Sequence, residues 1–178
     1  MFRAKQKTVT AATLIVCFIL IGVAVFIPYK QALVFYKKNS DQLKIYLPIQ
    51  TGDTFQLIWK HSIHKTDVVE KYVVKDEGIE QYEIVYEHFG IGMPSNATGD
   101  EEYVYENGKH HIKNMSNFFP EFNWRNGKKV SENRIVWGNS DNEHIAWMND
   151  FVDPGELFTI KIERLSLWER LKGEKIHE

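Results

Sequence analysis

The run "TVTAATLIVCFILIGVAVFIPY", from Thr8 to Tyr29, carries no charged residue. About 20 apolar residues at 1.5 Å each make a helix of roughly 30 Å, the hydrocarbon thickness of a bilayer. The run therefore predicts one N-terminal transmembrane helix. Residues 1–7 precede it with Arg3, Lys5 and Lys7 and no acid, and such a flank predicts an N-terminus inside the cell. A cleaved signal peptide is the rival reading, with an apolar core of about 7–15 residues and a small-x-small cleavage site. Here the core is longer and runs into Phe26, Ile27, Pro28 and Tyr29, so a retained anchor is expected. Cys17, the only cysteine, follows Val16 within the run and reads as a small residue facing lipid.

This divides the chain into a cytoplasmic flank (1–7), a signal-anchor (8–29), a polar link (30–42) and an extracytoplasmic domain (43–178). The expected location is the cell membrane, single-pass, with the C-terminal domain outside the cytoplasm. All 24 acidic residues lie beyond Lys30, against 18 of the 22 Lys and Arg, so the outer part carries about −6. That balance excludes nucleic acid as a partner, since binding it needs a basic stripe. The outer part also has no cysteine for a disulfide, so its stability must come from its core. About 140 residues suffice for one.

From residue 43 onwards the pattern is that of strands. "LKIYL" (43–47) alternates, and "TFQLIWKHSI" (54–63) places Phe55, Leu57, Trp59, His61 and Ile63 on one face. "DVVEKYVV" (67–74), "QYEIVYEHF" (81–89) and "ELFTIKIERL" (156–165) are β-branched and aromatic. Asn107-Gly108 marks one hairpin within 102–112, and Gly138 to Asn142 a second within 133–148. The fold class is all-β, an antiparallel sandwich or barrel of about eight short strands. A short helix is expected in the tail "SLWERLKGEKIHE".

Chemistry-bearing residues concentrate in "WKHSIHKTDVVEKY" (59–72). His61 and His64 would lie on opposite faces of a strand, so joint chelation requires a turn near Ser62. With His88, His110, His111 and His144 they match no zinc spacing. "SIHK" and "SDN" (140–142) imitate the serine β-lactamase motifs, but the segment leaves a strand rather than lying on a helix, and no K-T-G is present after it. A Ser62–His triad is spatial and stays open. In "HFGIGMPS" (88–95) the paired glycines allow either a tight turn or an anion-binding nest of backbone N–H groups. Asp100, Glu101 and Glu102 read as a solvated loop rather than a calcium loop. Phe118, Phe119, Phe122, Trp124, Trp137, Trp147 and Trp168 are expected to build the core rather than a sugar platform.

Two of these stretches together carry a resemblance. His61, Ser62, Lys65 and Thr66, with Glu70 four residues further on, precede Phe89, Gly90, Gly92, Met93 and Pro94. This pattern resembles a family of small exported proteins of unknown function. Its genes tend to sit beside TRAP-type transporters with TAXI-class binding proteins. "GELFTIKIERLSLW", with Gly155 and Arg164, fits that family's ending. The resemblance implies an extracytoplasmic accessory or binding module, whose partner is the transporter permease or its solute-binding protein. If the two motifs meet, their donors suit a carboxylate-bearing ligand or a partner's acidic loop. Alternatively, His61 hydrogen-bonds the glycine turn and locks the fold. A hydrolase using His61 and Ser62 or a histidine-bound metal is the second class, and a structural assembly protein the third. No cofactor is expected, and a binding role is favoured over an enzymatic one.

Overall fold

The computed structural model describes residues 2–90, 92–139 and 141–177, without the side chains of residues 2–9 and 11. Ser140 of the "SDN" run and the side chains of Arg3, Lys5 and Lys7 fall outside the described residues. Among the described residues one helix, α1 (Phe2–Phe26), precedes thirteen strands. These are β1 (Lys30–Lys37), β2 (Leu43–Pro48), β3 (Thr54–Lys60), β4 (Asp67–Lys75), β5 (Gly78–Tyr86), β6 (Glu102–Glu106), β7 (Lys109–Lys113), β8 (Asn117–Phe119), β9 (Glu121–Arg125), β10 (Arg134–Asn139), β11 (Asn142–Trp147), β12 (Leu157–Leu165) and β13 (Glu174–Lys175). A one-turn helix, α2 (Leu167–Arg170), lies between the last two strands and is held at its start by both bonds of a Ser166–Glu169 capping box. Among the described residues no helix is long and apolar enough to cross a membrane; the expected span begins among side chains outside them.

The strands form two sheets. The smaller runs β13-β2-β1-β12-β9, and the larger runs β11-β10-β3-β4-β5-β7-β6 with β8 also paired to β5. All pairs are antiparallel except the two-residue β13 on β2. The principal core joins Leu33, Phe35 and Phe158 of the smaller sheet to Phe55, Leu57 and Val74 of the larger, as a sandwich requires. A second cluster, including Val68, Ile84, Tyr86 and Ile112, extends the larger sheet's inner face at one end, where Trp59, Met93 and Met115 cover it.

Several expectations need correction. Residues 30–42 are not a link: residues 30–37 form β1, the central strand of the smaller sheet. Leu33 and Phe35 enter the principal core, while Ala32 and Val34 are buried on the opposite face. A strand buried on both faces reads as a continuous apolar run rather than an alternation, and this one abuts the apolar run of α1. Among the described residues strands number thirteen rather than about eight: β1 lacks alternation, β8 and β13 are only three and two residues long, and β9 is a further strand. The aromatics divide as well: Trp124 is buried, whereas Phe118, Trp147 and Trp168 stand exposed. Both hairpins form at the expected turns, with φ of 52° at Asn107 and 76° at Gly108.

If β1 is a core strand, Phe35→Ala should lower unfolding stability by about 3–5 kcal/mol, whereas a truncation in a solvated link would change it by less than about 0.5 kcal/mol. Denaturant unfolding of the two proteins decides between them.

Candidate functional site

The ladder between β3 and β4 ends at the Lys60–Asp67 pair, and the chain turns through residues 61–66. The His61 N–H donates to Thr66 O at 2.8 Å, and the Lys65 N–H donates to His61 O at 2.9 Å. Inside this turn the His61 ring does what a capping side chain does. Its Nδ1 accepts from the N–H of Ile63 at 3.3 Å and of His64 at 3.4 Å. Lys65 closes the turn in the left-handed region at φ 59°, which costs a non-glycine residue roughly 1–2 kcal/mol. Because the strand stops at Lys60, His61 and His64 do not fall on opposite faces. Their rings stack with centroids 5.0 Å apart.

The second motif comes to the same place. β5 ends at Tyr86, and the His88 ring lies 4.9 Å from that of His64. Gly90 lies against His61: a Cβ there would sit 2.9 Å from His61 Nε2 and 3.1 Å from its Cε1. This glycine is required by close approach. Gly92 is required by conformation, at φ +91° with open space around it. Tyr86 OH donates to Pro94 O at 2.5 Å, and Met93 caps the second apolar cluster. Phe89 turns to the other side and meets His110 at 4.2 Å and Tyr86 at 5.6 Å between centroids. Trp59 completes a column of rings, 6.2 Å from His61.

Glu70 sits beneath this end, on the β4 face that carries Val68 and Tyr72. It accepts a hydrogen bond from Tyr72 OH at 3.2 Å and another from the Trp59 side chain. Removal from water nevertheless pushes its carboxyl above the usual range, and the two donors only partly offset that. Burial and the Glu70 carboxylate beside it push the Tyr72 phenol up too.

His61 Nδ1 faces two donors, so in the neutral ring Nε2 carries the proton. His61 is then a donor at Nε2, and neither ring nitrogen offers a free lone pair to a metal or to a serine hydroxyl. Ser62 is exposed, and among the described residues no hydrogen bond joins it to a histidine. Asp67, the nearest acid in sequence, is held by Arg134 at 2.5 Å. Among the described residues no three His, Cys, Asp or Glu side chains form a group able to hold a metal ion.

What the fold assembles is a surface. His61 is buried at its centre, with Ser62, His64, Lys65, His88 and Phe89 exposed around it. Of the residues singled out from sequence, Glu70 and Thr66 support this surface from within, and Gly90 pins its two loops together. His64 and His88, weighed from sequence only as metal ligands, and Trp59 lay outside the expected binding set. They join the column because a turn comes after Lys60 and because β5 stops at Tyr86 rather than at Phe89. An open cleft of about 850 Å³ lies elsewhere, lined by Tyr36, Lys161 and Glu163 among others, and includes no motif residue.

The Glu70 environment sets a pH dependence. Its folded pKa lies above the ordinary carboxylate value, so folding favours the protonated form. Its contribution is greatest at low pH and is lost as pH rises through the raised value. Glu70→Gln keeps an acceptor for Tyr72 and Trp59 without the charge. It should therefore raise the melting temperature at pH 7 and remove the part of the decline above about pH 4.5 that belongs to this group, as melts from pH 4 to 8 would register.

Comparison with known proteins agrees with this geography. Residues 55–143 match the profile of a family described as Domain of unknown function (DUF1850). The match runs from β3 into β11 and so contains most of the larger sheet and both loops. No curated protein and no solved structure matches the chain. With half of its residues inside that profile, including both loops that close on Gly90, the chain belongs to the DUF1850 family.

Proposed function

We propose that this protein is a membrane-anchored, extracytoplasmic binding module. Its His61–Gly90 end engages a component of a TRAP-type transporter, either the permease or the solute-binding protein. The carrying observation is the seating of Gly90 on the His61 ring, which makes one exposed surface out of two motifs. An interaction surface needs exposed groups on a rigid support. Here the support is a capped turn, a buried imidazole and a small apolar core.

Anchoring is supported by α1. Leu14, Ile15, Val16, Phe18, Ile19 and Leu20 are all exposed, so this stretch of the helix is apolar on several faces. A helix of that kind calls for an apolar surrounding. At its end Phe26 meets Trp168 at 5.9 Å, and Arg170 donates to Tyr29 OH at 2.9 Å. Aromatic and basic side chains gathered there suit the interface between lipid and water. Leu167 and Leu171 of the same turn are exposed towards that zone.

The larger sheet then carries the motifs outwards. The Ile49 N–H donates to Gln31 O at 3.3 Å, so the turn before β3 lies beside the anchor. Seven residues of β3 span roughly 23 Å to His61 at about 3.3 Å each. A binding surface at that distance from the bilayer suits a partner that stands above the membrane. The hydrolase reading loses support, because the Ser62–His arrangement it needs is not assembled. The locking role of His61 belongs within the present reading, since His61 holds the surface that its neighbours present.

The test is cross-linking of the full-length protein in its native membranes, then purification and mass spectrometry. Recovery of a TRAP-type permease or solute-binding protein, lost in a His64→Ala/Lys65→Ala double variant, is the expected result. Recovery of neither overturns the proposal. The double variant should melt within about 0.5 kcal/mol of the parent, as an exposed surface change does. His61→Ala should cost about 1–3 kcal/mol, because it leaves two turn N–H groups without their acceptor.

A further inference from the structure

β6 is the last strand of the larger sheet and, among the described residues, pairs with β7 alone. The two strands are joined by the two-residue turn Asn107-Gly108, so the closing pair Glu106–Lys109 exchanges both of its hydrogen bonds. Pairing alternates along an antiparallel ladder. Glu102, Val104 and Glu106 therefore bond to β7, while the backbone N–H and C=O of Tyr103 and Tyr105 point to the open edge. The same two residues present exposed rings, Tyr103 at 43% and Tyr105 at 61%.

Open edges are usually guarded by lysine, proline or a bulge. β6, "EYVYE", has no lysine or proline, and its register with β7 is unbroken. Asp100, Glu101, Glu102 and Glu106 lie along the segment, and Lys113 of β7 offsets one of these charges through an ion pair with Glu106 at 2.9 Å. The edge also connects to the motif surface. His110 lies 4.8 Å from Tyr105 and 4.2 Å from Phe89 between centroids, and its Nδ1 is 2.7 Å from Tyr103 OH. Phe89 thus joins β6 to the loop that seats on His61.

We propose that β6 accepts an extended, Lys- or Arg-bearing segment of a partner protein as an added antiparallel strand. Main-chain bonds to Tyr103 and Tyr105 supply the pairing, and the flanking carboxylates select the basic side chains. Cations also gain from the faces of Tyr103 and Tyr105. A second copy of the chain is disfavoured on charge. Antiparallel self-pairing centred on Val104 sets Glu102 opposite Glu106 twice, and like charges directly opposite destabilise a ladder. The inference relies on the proposed function only for placing both surfaces at one end of the domain. Its test uses peptides and no transporter, so either reading can fail alone.

Full-length protein in lipid nanodiscs is titrated with an acetylated Lys-Val-Lys-Val-Lys peptide and, separately, with its Glu-Val counterpart. Backbone hydrogen exchange is the readout. Selective protection of the Tyr103 and Tyr105 amides by the basic peptide alone is expected. Tyr105→Pro removes an outward N–H at a position where an edge strand tolerates proline, and should weaken binding at least about tenfold. Tyr105→Ala, which keeps that N–H, should weaken it less. Glu102→Lys serves if the proline variant does not fold, and should lose most of the basic peptide's affinity. Three results overturn the inference: no protection at up to about 1 mM basic peptide, a range that would register even weak association; undiminished binding by both Tyr105→Pro and Glu102→Lys; or protection of these amides without peptide in a dimer, which would make a second copy the occupant.

Discussion

The imidazole of His61 is where the motif end of this protein is decided. Three of its polar atoms are committed within a single turn: the backbone N–H to Thr66, the backbone C=O to Lys65, and Nδ1 to the amides of Ile63 and His64. Its remaining edge receives Gly90. A side chain placed this way settles its own tautomer, and with it the chemistry open to the surface. A ring whose acceptor nitrogen faces two N–H groups has that lone pair occupied, and serves as a structural cap. The exposed groups around it are free of that duty. His64, Lys65 and His88 are held by geometry that they do not themselves maintain.

The same end carries two kinds of tension. Lys65 occupies a left-handed conformation without being glycine or asparagine, and Glu70 keeps a carboxyl where water is scarce. Each is destabilising taken alone. Strain of this sort persists only where surrounding structure over-determines it, and here the second apolar cluster and the β3–β4 ladder do so. A second group of charges is arranged differently. On the opposite face of the larger sheet Glu83 meets Lys71 Nζ and His111 Nδ1, each at 2.7 Å. Desolvation pulls that carboxyl up, but these two donors outweigh it and hold it below the usual range. Glu83 is a satisfied cross-strand network, and Glu70 is not, which separates a stabilising acid from one retained at a cost.

Legibility tracked physical locality. The Asn107-Gly108 hairpin was readable because a two-residue turn with two positive φ values admits few residue pairs. β3, β4, β5 and β12 were readable from their alternation or β-branched content. β1 was not, since "ALVF" between two buried faces has no period and continues an apolar helix without a break. β3 stops at Lys60 rather than Ile63 and β5 at Tyr86 rather than Phe89, and these two early ends bring the histidine rings into one column. Trp147 looks like a core residue by composition. It stands at the sheet edge, with the Arg134 guanidinium 5.3 Å from its ring.

The amino-acid sequence by itself determined the uncharged N-terminal run, the acidic balance of residues 31–178, the all-β class and the two motifs. Each of these depends on residue type or on periodicity over a few positions, so no distant contact was needed to see them. Tertiary structure alone decided that Gly90 touches His61, that Glu70 loses its water, and that β6 ends a sheet. Those facts arise when segments distant along the chain come within a few ångströms of one another. Burial, tautomer and strand order are properties of that meeting, and no single segment contains them.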